Sequence, residues 1–268
     1  MRPGSISGHR PDRQMANTFP YLSEHERYTF PPVEDATPEG IVGAGGNLSP
    51  GMLLSAYTQG IFPWFSENDP LLWWAPDPRF VLFPEQFHLS RSMQKVLRKK
   101  QFTFSVDHRF SDVISACSKT ARPGQPGTWI TGQMAHAYGR LHQLGYAHSV
   151  EAYLDGALVG GLYGVSLGRI FFGESMFSWS PNASKAAFAV LVHALLREDF
   201  ELIDCQVYTE HLASLGALDI PRARFMELLQ RGLHNETLKG NWALFSLLDE
   251  SEPARVAREL SNGSRSPQ

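Results

Sequence analysis

Hydrophobic and polar positions alternate with different periods along this chain, and these periods predict its helices and strands. Ser49 and Pro50 precede an apolar run with helical spacing, which predicts a short amphipathic helix that begins at Pro50. Residues 60–78 are rich in tryptophan and phenylalanine but show no period, and they are predicted to be a loop. Helical spacing returns further along the chain and predicts helices over 110–118 and 132–144.

The second half of the chain predicts a sheet. Four strands are predicted before residue 180, over 102–106, 148–154, 158–166 and 169–175. Turn residues at 155–156 and 167–168 separate the last three, which predicts an antiparallel meander. A helix over 183–197 and a strand over 201–207 follow. This order predicts an α/β (α+β) fold with an N-acetyltransferase-like mixed sheet flanked by helices and a small N-terminal domain.

Composition divides the chain into four parts. Its 268 residues are enough to bury a large core, as one domain or as a small domain against a larger one. Residues 1–28 and 250–268 lack an apolar pattern and are predicted to be a disordered extension and a disordered tail. Between them we predict a small N-terminal domain over 29–78 and an N-acetyltransferase-like catalytic domain over 79–249.

Neither a membrane span nor a secretion signal is visible in the sequence. No apolar run approaches the roughly 20 residues that a membrane-spanning helix needs. The first residues are polar and carry arginines, and no apolar segment of a signal peptide follows them. We therefore expect a soluble, cytoplasmic protein. Cys117 and Cys205 belong to no CxxC pair, so both are predicted to be small buried side chains.

The net charge of −3 is unevenly placed, because basic residues are concentrated in the segment that follows the aromatic loop. Within its densest part, Arg91, Lys95 and Arg98 have helical spacing and lie on one face, and Lys99 and Lys100 follow. Such a face attracts a phosphate backbone and makes binding sensitive to salt. A solvated helix face without a partner has the same pattern, so both interpretations stay open.

Two predicted strands carry a carboxylate close to their end. These residues are Glu174 and Asp204, and each lies in an otherwise apolar segment. Burying a carboxylate is costly, which makes such positions typical of active sites. Asp204 and Gln206 are two residues apart, so on a strand they point into the same space. An aspartate that only fixes a loop would give the same local pattern, and that alternative stays open.

Acyl-CoA-dependent N-acyltransferases share this order of elements. They carry a glycine-rich turn whose N–H groups hold the pyrophosphate of coenzyme A at a helix N-terminus. At the corresponding place, residues 178–185 contain Pro181 and no paired glycines. The sequence therefore argues against coenzyme A as the donor.

Nine segments, in order and at consistent spacing, resemble one known family. They are GGNLSP (45–50), GIFPWF (60–65), LWWAPDPR (72–79), SRSM (90–93), GTWIT (127–131), HSVE (148–151), FGESMF (172–177), NASK (182–185) and LIDCQV (202–207). Across roughly residues 30–245 the chain resembles the leucyl/phenylalanyl-tRNA-protein transferases. The resemblance implies transfer of Leu, Phe or Met from aminoacyl-tRNA to a protein that begins with Arg or Lys. The product would be an N-degron, which marks the protein for proteolysis.

The resemblance also implies roles for individual residues. Asp204 would take a proton from the attacking amine, directly or through Gln206, which would orient that amine. Glu174 completes the catalytic set as the first candidate to face the acceptor's Arg or Lys side chain, with Asp204 contributing charge, and the sequence leaves open which of the two carboxylates faces that side chain. Trp64 and Trp129 match the aromatic residues that flank the 3′-terminal adenosine of the tRNA. The residues implied around the donor side chain are Leu162, Phe171, Glu174, Phe188, Leu191, Leu195 and Ile203.

The implied chemistry predicts the partners. An aminoacyl ester is already activated, so its aminolysis requires a neutral amine and a stabilised tetrahedral intermediate, and we expect no cofactor or metal. The expected partners are aminoacyl-tRNA, bound by the basic face of residues 91–100, and proteins with N-terminal Arg or Lys. We expect no membrane partner and a monomer.

Three points stay open at the level of the sequence. A non-catalytic tRNA- or peptide-binding module on the same fold would bind through the basic face without depending on Asp204, and an acyl-CoA-dependent N-acyltransferase is the other alternative. Leu195 fits the hydrophobic core as well as it fits a donor site. His148 and Tyr138 are weaker candidates for the cleft, because each fits a buried structural position.

Overall fold

The computed structural model of this chain describes residues 19–66, 69–120, 129–240, 242 and 252–263. The strands in these residues are β1 (Ile41–Ala44), β2 (Phe62–Pro63), β3 (Leu72–Trp74), β4 (Arg79–Leu82), β5 (Thr103–Val106), β6 (Ala147–Leu154), β7 (Ala157–Leu167), β8 (Ile170–Ser178), β9 (Leu202–Gln206) and β10 (Leu218–Ile220). The α-helices are α1 (Pro50–Thr58), α2 (Arg91–Arg98), α3 (Phe110–Lys119), α4 (Gly132–Gln143), α5 (Ala183–Arg197), α6 (Glu210–Ala213), α7 (Arg222–Leu233) and α8 (Glu252–Gly263).

The larger sheet has seven strands in the order β10-β4-β9-β8-β7-β6-β5. Strands β8 and β9 are parallel, and the other neighbours are antiparallel. At the turn between β6 and β7, Asp155 and Gly156 have φ angles of 51° and 78°, as a two-residue hairpin requires. The meander, helix α5 and the further strand β9 follow in the predicted order. The predicted mixed sheet flanked by helices is therefore confirmed.

Apolar side chains cover both faces of this sheet. Successive residues of a strand point to opposite faces, so Phe172 packs with α1, α3, α4 and α7, while Phe171 packs with α2, α5 and α8. Leu202 and Ile203 divide between the same two clusters. The end of the sheet where β8 and β9 separate thus lies between two packed layers of helices.

The aromatic segment is not a loop throughout, and that prediction is wrong for β2 and β3. Strand β3 pairs with both β1 and β2 in a separate three-stranded sheet. The indole of Trp73 donates to the Gly45 carbonyl at 2.9 Å, and that of Trp74 donates to the Trp64 carbonyl at 2.6 Å. Strands this short carry too little alternation to be visible in a sequence. We keep the division at residue 78 as a proposal.

Residues 19–28 lie on helix α1 and are not disordered. Leu22 is buried, and its carbonyl accepts the N–H of Gly51 at 3.0 Å. A side-chain carbon on Gly51 would lie 2.3 Å from the Ser23 carbonyl, so this close approach requires glycine. The prediction of disorder is wrong for this stretch, and residues 1–18 lie outside the described residues.

The predicted disordered tail contains helix α8, and the prediction is wrong there. Helix α8 packs against α2 and α5. Its buried residues Val256, Ala257 and Leu260 have helical spacing, and they complete the cluster on that face of the sheet. The remaining residues of the predicted tail lie outside the described residues.

Candidate active site

A cavity of about 630 Å³ opens where β8 and β9 separate. The two strands pair only from Ile170 to Phe172 and from Leu202 to Asp204, and the residues beyond these pairs line the cavity. The apolar part of the wall comprises Phe62, Pro63, Trp64, Trp129, Leu162, Phe171, Met176, Phe188, Ile203, Cys205, Val207 and Leu212. Strands β2, β7, β8 and β9 and helices α5 and α6, together with Trp64 and Trp129, therefore build one apolar chamber.

The cavity brings together most of the predicted catalytic and substrate-binding residues. Those that line it are Trp64, Trp129, Leu162, Phe171, Glu174, Phe188, Ile203 and Gln206. Leu191 and Leu195 are buried in the core behind the cavity and do not line it. They share a helix face with Phe188, but they lie about 4.5 Å and about 10 Å further along the helix axis.

Glu174 supplies the carboxylate of the cavity wall. It lies at a register shift in the pairing of β7 with β8 and is 8% exposed. Its Oε1 accepts the Tyr57 hydroxyl at 2.7 Å and Nε2 of Gln206 at 2.9 Å, while Oε2 accepts the Tyr138 hydroxyl at 2.9 Å. The carboxylate is thus held by side chains from three other elements, α1, α4 and β9.

Burial brings the pKa of this carboxyl close to neutral pH. Desolvation raises the pKa of Glu174 to about 7, against the lowering effect of hydrogen bonds from Tyr57, Tyr138 and Gln206. Charged and neutral forms of Glu174 therefore coexist at neutral pH, which suits general acid and base chemistry. Burial also raises the pKa of both tyrosines well above the usual value, so both hydroxyls remain protonated donors.

Asp204 lies beneath the cavity wall, where it is fully buried. Its Oδ1 accepts Nε of Arg79 at 2.8 Å and its Oδ2 accepts Nη2 at 2.6 Å. The Arg79 guanidinium is itself buried between the rings of Phe62 and Phe225. Asp204 and Gln206 are in contact, since Oδ1 also accepts the Gln206 N–H at 3.0 Å, but of the two residues Gln206 lines the cavity.

Reasoning from the sequence missed two parts of this network. Neither Tyr57 nor Arg79 is among the predicted site residues, although an arginine at the start of the apolar strand β4 indicates a buried partner. Tyr138 lies at Glu174 but behind the cavity lining. His148 lies elsewhere, in a buried pair with Asp107 at 2.9 Å.

The basic segment forms helix α2, as predicted. Its apolar residues Met93 and Leu97 are buried against the core, and the positive side chains point outward. The exposed residues are Arg91, Lys95, Arg98, Lys99 and Lys100. A role in binding tRNA stays a prediction.

Both cysteines are buried, as predicted. Burial raises the pKa of the Cys205 thiol far above its usual value. Among the described residues, no group of three or more His, Cys, Asp or Glu side chains is arranged to hold a metal ion. No helix in the described part of the chain has the length and apolar character that crossing a membrane requires.

An apolar cavity with a titratable carboxyl and an amide on one wall is the arrangement of an enzyme site. Fold and cavity together are those of an α/β enzyme with a buried carboxyl on the wall of an apolar cavity. A family model described as leucyl/phenylalanyl-tRNA protein transferase matches residues 81–230. A model described as the N-terminal domain of the same proteins matches residues 46–77. The chain belongs to the leucyl/phenylalanyl-tRNA protein transferase family.

Individual relatives of this chain carry the same name as the family. The chain is 58% identical over 214 residues to the leucyl/phenylalanyl-tRNA--protein transferase of Syntrophus aciditrophicus (strain SB). The matched residues cover 80% of this chain and 90% of the relative. It is 53% identical over 228 residues to the protein of that name from Desulfatibacillum aliphaticivorans, covering 85% and 98%. It is 56% identical over 214 residues to that of Syntrophotalea carbinolica, covering 80% and 93%.

Proposed function

We propose that this protein transfers Leu, Phe or Met from aminoacyl-tRNA to the α-amine of proteins that begin with Arg or Lys, creating an N-degron for proteolysis. The observation that carries the proposal is the apolar cavity with Glu174 and Gln206 on its wall, in a chain 58% identical to a relative named as such a transferase. A cytoplasmic location and a monomeric state belong to the same proposal.

The apolar end of the cavity takes the donor side chain. Leu162, Phe171, Phe188 and Ile203 line this part, and none of them offers a polar group to the donor. Such a pocket separates side chains by only about 1–3 kcal/mol per missing methylene. Leu, Phe and Met are therefore accepted together, with graded efficiency.

Trp64 and Trp129 take the terminal adenosine of the tRNA. Both indoles lie on the cavity wall, and Trp64 is fixed by packing on Trp74 with ring centroids 5.5 Å apart. Stacking on an indole tolerates any base, so the site reads the amino acid and not the tRNA sequence. The exposed basic face of α2 supports the tRNA backbone through charge.

Glu174 is the proton acceptor in the proposed reaction. The α-amine nitrogen bonds to the ester carbonyl carbon and loses a proton to the Glu174 carboxylate, and the bond to the ribose oxygen then breaks as that oxygen takes up a proton. Gln206 orients the amine beside Glu174. Asp204 is not the acceptor in this scheme, because Arg79 occupies both of its oxygens.

The direct test is label transfer. Purified protein is incubated with labelled Phe-tRNA and a peptide that begins with Arg, and in parallel with the same peptide beginning with Ala or with acetylated Arg. We expect label only on the peptide that begins with Arg and has a free α-amine. If Phe-tRNA binds but no peptide is labelled, the transferase proposal fails and the non-catalytic binding module replaces it.

A further inference from the structure

Gln206 has an unusual backbone conformation for a residue with a side chain. Its φ angle is 66°, in the left-handed region that favours glycine. The N–H of Val207 donates to the carbonyl of Cys205 at 2.8 Å, which closes a γ-turn centred on Gln206. This turn is sparsely populated in proteins, and it persists only where its surroundings hold it.

Asp204 and Arg79 supply that support. Oδ1 of Asp204 accepts the N–H of Gln206 at 3.0 Å, which fixes the residue at the centre of the turn. Arg79 holds the same carboxylate by two hydrogen bonds, and its guanidinium is packed between two phenylalanine rings. The pairing of β4 with β9 also shifts register here, so no regular ladder sets the conformation of Gln206.

The turn has a consequence in the cavity. It brings Nε2 of Gln206 to 2.9 Å from Oε1 of Glu174, although Glu174 lies on β8 beyond the point where β8 and β9 stop pairing. The hydrogen bond lowers the pKa of Glu174 against the effect of burial. The conformation of Gln206 therefore sets the place of its amide and contributes one of the hydrogen bonds that lower the pKa of Glu174.

We propose that Arg79 is a positioning residue for the transfer reaction, and that it acts through Asp204 to hold the turn in which Gln206 meets Glu174. Arg79 is outside the cavity lining and only 1% exposed, so it acts through other residues. This inference rests on the proposed function. In this inference the Asp204 carboxylate holds the turn at Gln206, and Glu174 accepts the proton.

Arg79→Lys tests the inference because lysine keeps the positive charge but loses the two-point bond to Asp204. We expect kcat to fall about 10- to 100-fold, since a small displacement of a positioned group has effects of this size. The KM for Phe-tRNA should stay within about twofold, because the donor pocket is intact. The acidic limb of the kcat/KM profile should move to higher pH, because Glu174 loses the hydrogen bond from Gln206.

Arg231→Lys is the matched control, because Arg231 pairs with Glu201 on the surface. It should leave the rate and the pH profile of the wild type unchanged. The inference is overturned if Arg79→Lys retains the wild-type kcat and the wild-type acidic limb. A fall in kcat without movement of the limb also overturns it, because a general loss of folded protein gives that result.

Melting temperatures test the turn without any activity. Gln206→Gly is expected to melt about 3 °C above Gln206→Ala, because glycine adopts the left-handed φ without strain. In the Arg79→Lys background the turn relaxes, and the advantage of glycine should disappear or reverse. The inference is overturned if Gln206→Gly melts above Gln206→Ala by the same amount in both backgrounds. It is also overturned if the two variants melt at the same temperature in the wild-type background.

The two proposals fail in different ways. If the wild type labels no peptide, the proposed function fails, while the glycine and alanine comparison still tests the turn. If the wild type is active and Arg79→Lys matches it in rate and pH profile, the transferase stands and the role of Arg79 fails.

Discussion

Replacing Glu174 with glutamine is expected to stabilise the protein at high pH while removing its activity. Burial raises the pKa of Glu174 from 4.5 to about 7, so between these pH values the folded protein holds a proton that the unfolded chain has released. The stability that this proton contributes is lost as the pH rises through the window, because the carboxyl must then ionise inside the fold. Glutamine has no such proton to lose.

The size of the effect follows from the pKa. At about 1.4 kcal/mol for each unit of pKa, the change from 4.5 to about 7 corresponds to about 3 kcal/mol when the whole window is crossed. Glutamine can keep the hydrogen bonds, because the Tyr57 and Tyr138 hydroxyls lie 2.5 Å apart and either can donate. The variant should therefore gain about 2–3 kcal/mol of unfolding free energy over the wild type between pH 5 and pH 8.

Urea titration at both pH values measures this gain. Glu227→Gln is the control, because Glu227 is exposed and pairs with Arg224 on the surface. Its difference from the wild type should stay nearly constant with pH. If the difference between Glu174→Gln and the wild type is the same at pH 5 and pH 8, Glu174 does not carry a raised pKa in the folded protein.

Four further changes test separate parts of the proposed function. Tyr138→Phe removes a hydrogen bond that lowers the pKa of Glu174, so the acidic limb of the kcat/KM profile should move to higher pH, and a fixed limb would contradict this role. Phe188→Ala should raise the KM for Phe-tRNA at least about tenfold, measured by initial rates. Leu195→Ala should cost about 2–5 kcal/mol in urea titration and leave that KM unchanged, so equal KM values for the two variants would refute the assignment. Lys95→Ala should lower the slope of log affinity for tRNA against log salt by about 0.7–0.9 in filter binding, and an unchanged slope would exclude contact with a phosphate.

Residue spacing was sufficient to predict the central sheet. Strands β6, β7 and β8 and helix α5 are long enough for their hydrophobic periods to be visible in the sequence. The residues Asp155 and Gly156 are typical of a two-residue hairpin turn, and they form one. The two-residue spacing predicted that the side chains of Asp204 and Gln206 point into the same space, but of the two residues only Gln206 lines the cavity. Strand β10 has three residues, and nothing in so short a stretch indicates that it pairs with β4.

The connections between distant residues were beyond the reach of spacing. Arg79 and Asp204 are 125 residues apart, and Tyr57 and Tyr138 are 81 apart, yet each pair is in contact. A local sequence pattern does not indicate which residue, so far away along the chain, will be the partner. For the same reason, the sequence does not show that Arg79 donates to both carboxylate oxygens of Asp204.

The rate of a single turnover tests most directly whether Glu174 carries the reaction. Labelled Phe is transferred from Phe-tRNA to a peptide that begins with Arg, with the wild type and with Glu174→Gln at pH 8, and the Kd for Phe-tRNA is measured alongside. We predict a rate at least about 100-fold lower for the variant, with Kd within about twofold, because a general base contributes about 10²–10⁴ in rate. A rate within about threefold of the wild type at an unchanged Kd would contradict Glu174 as the proton acceptor.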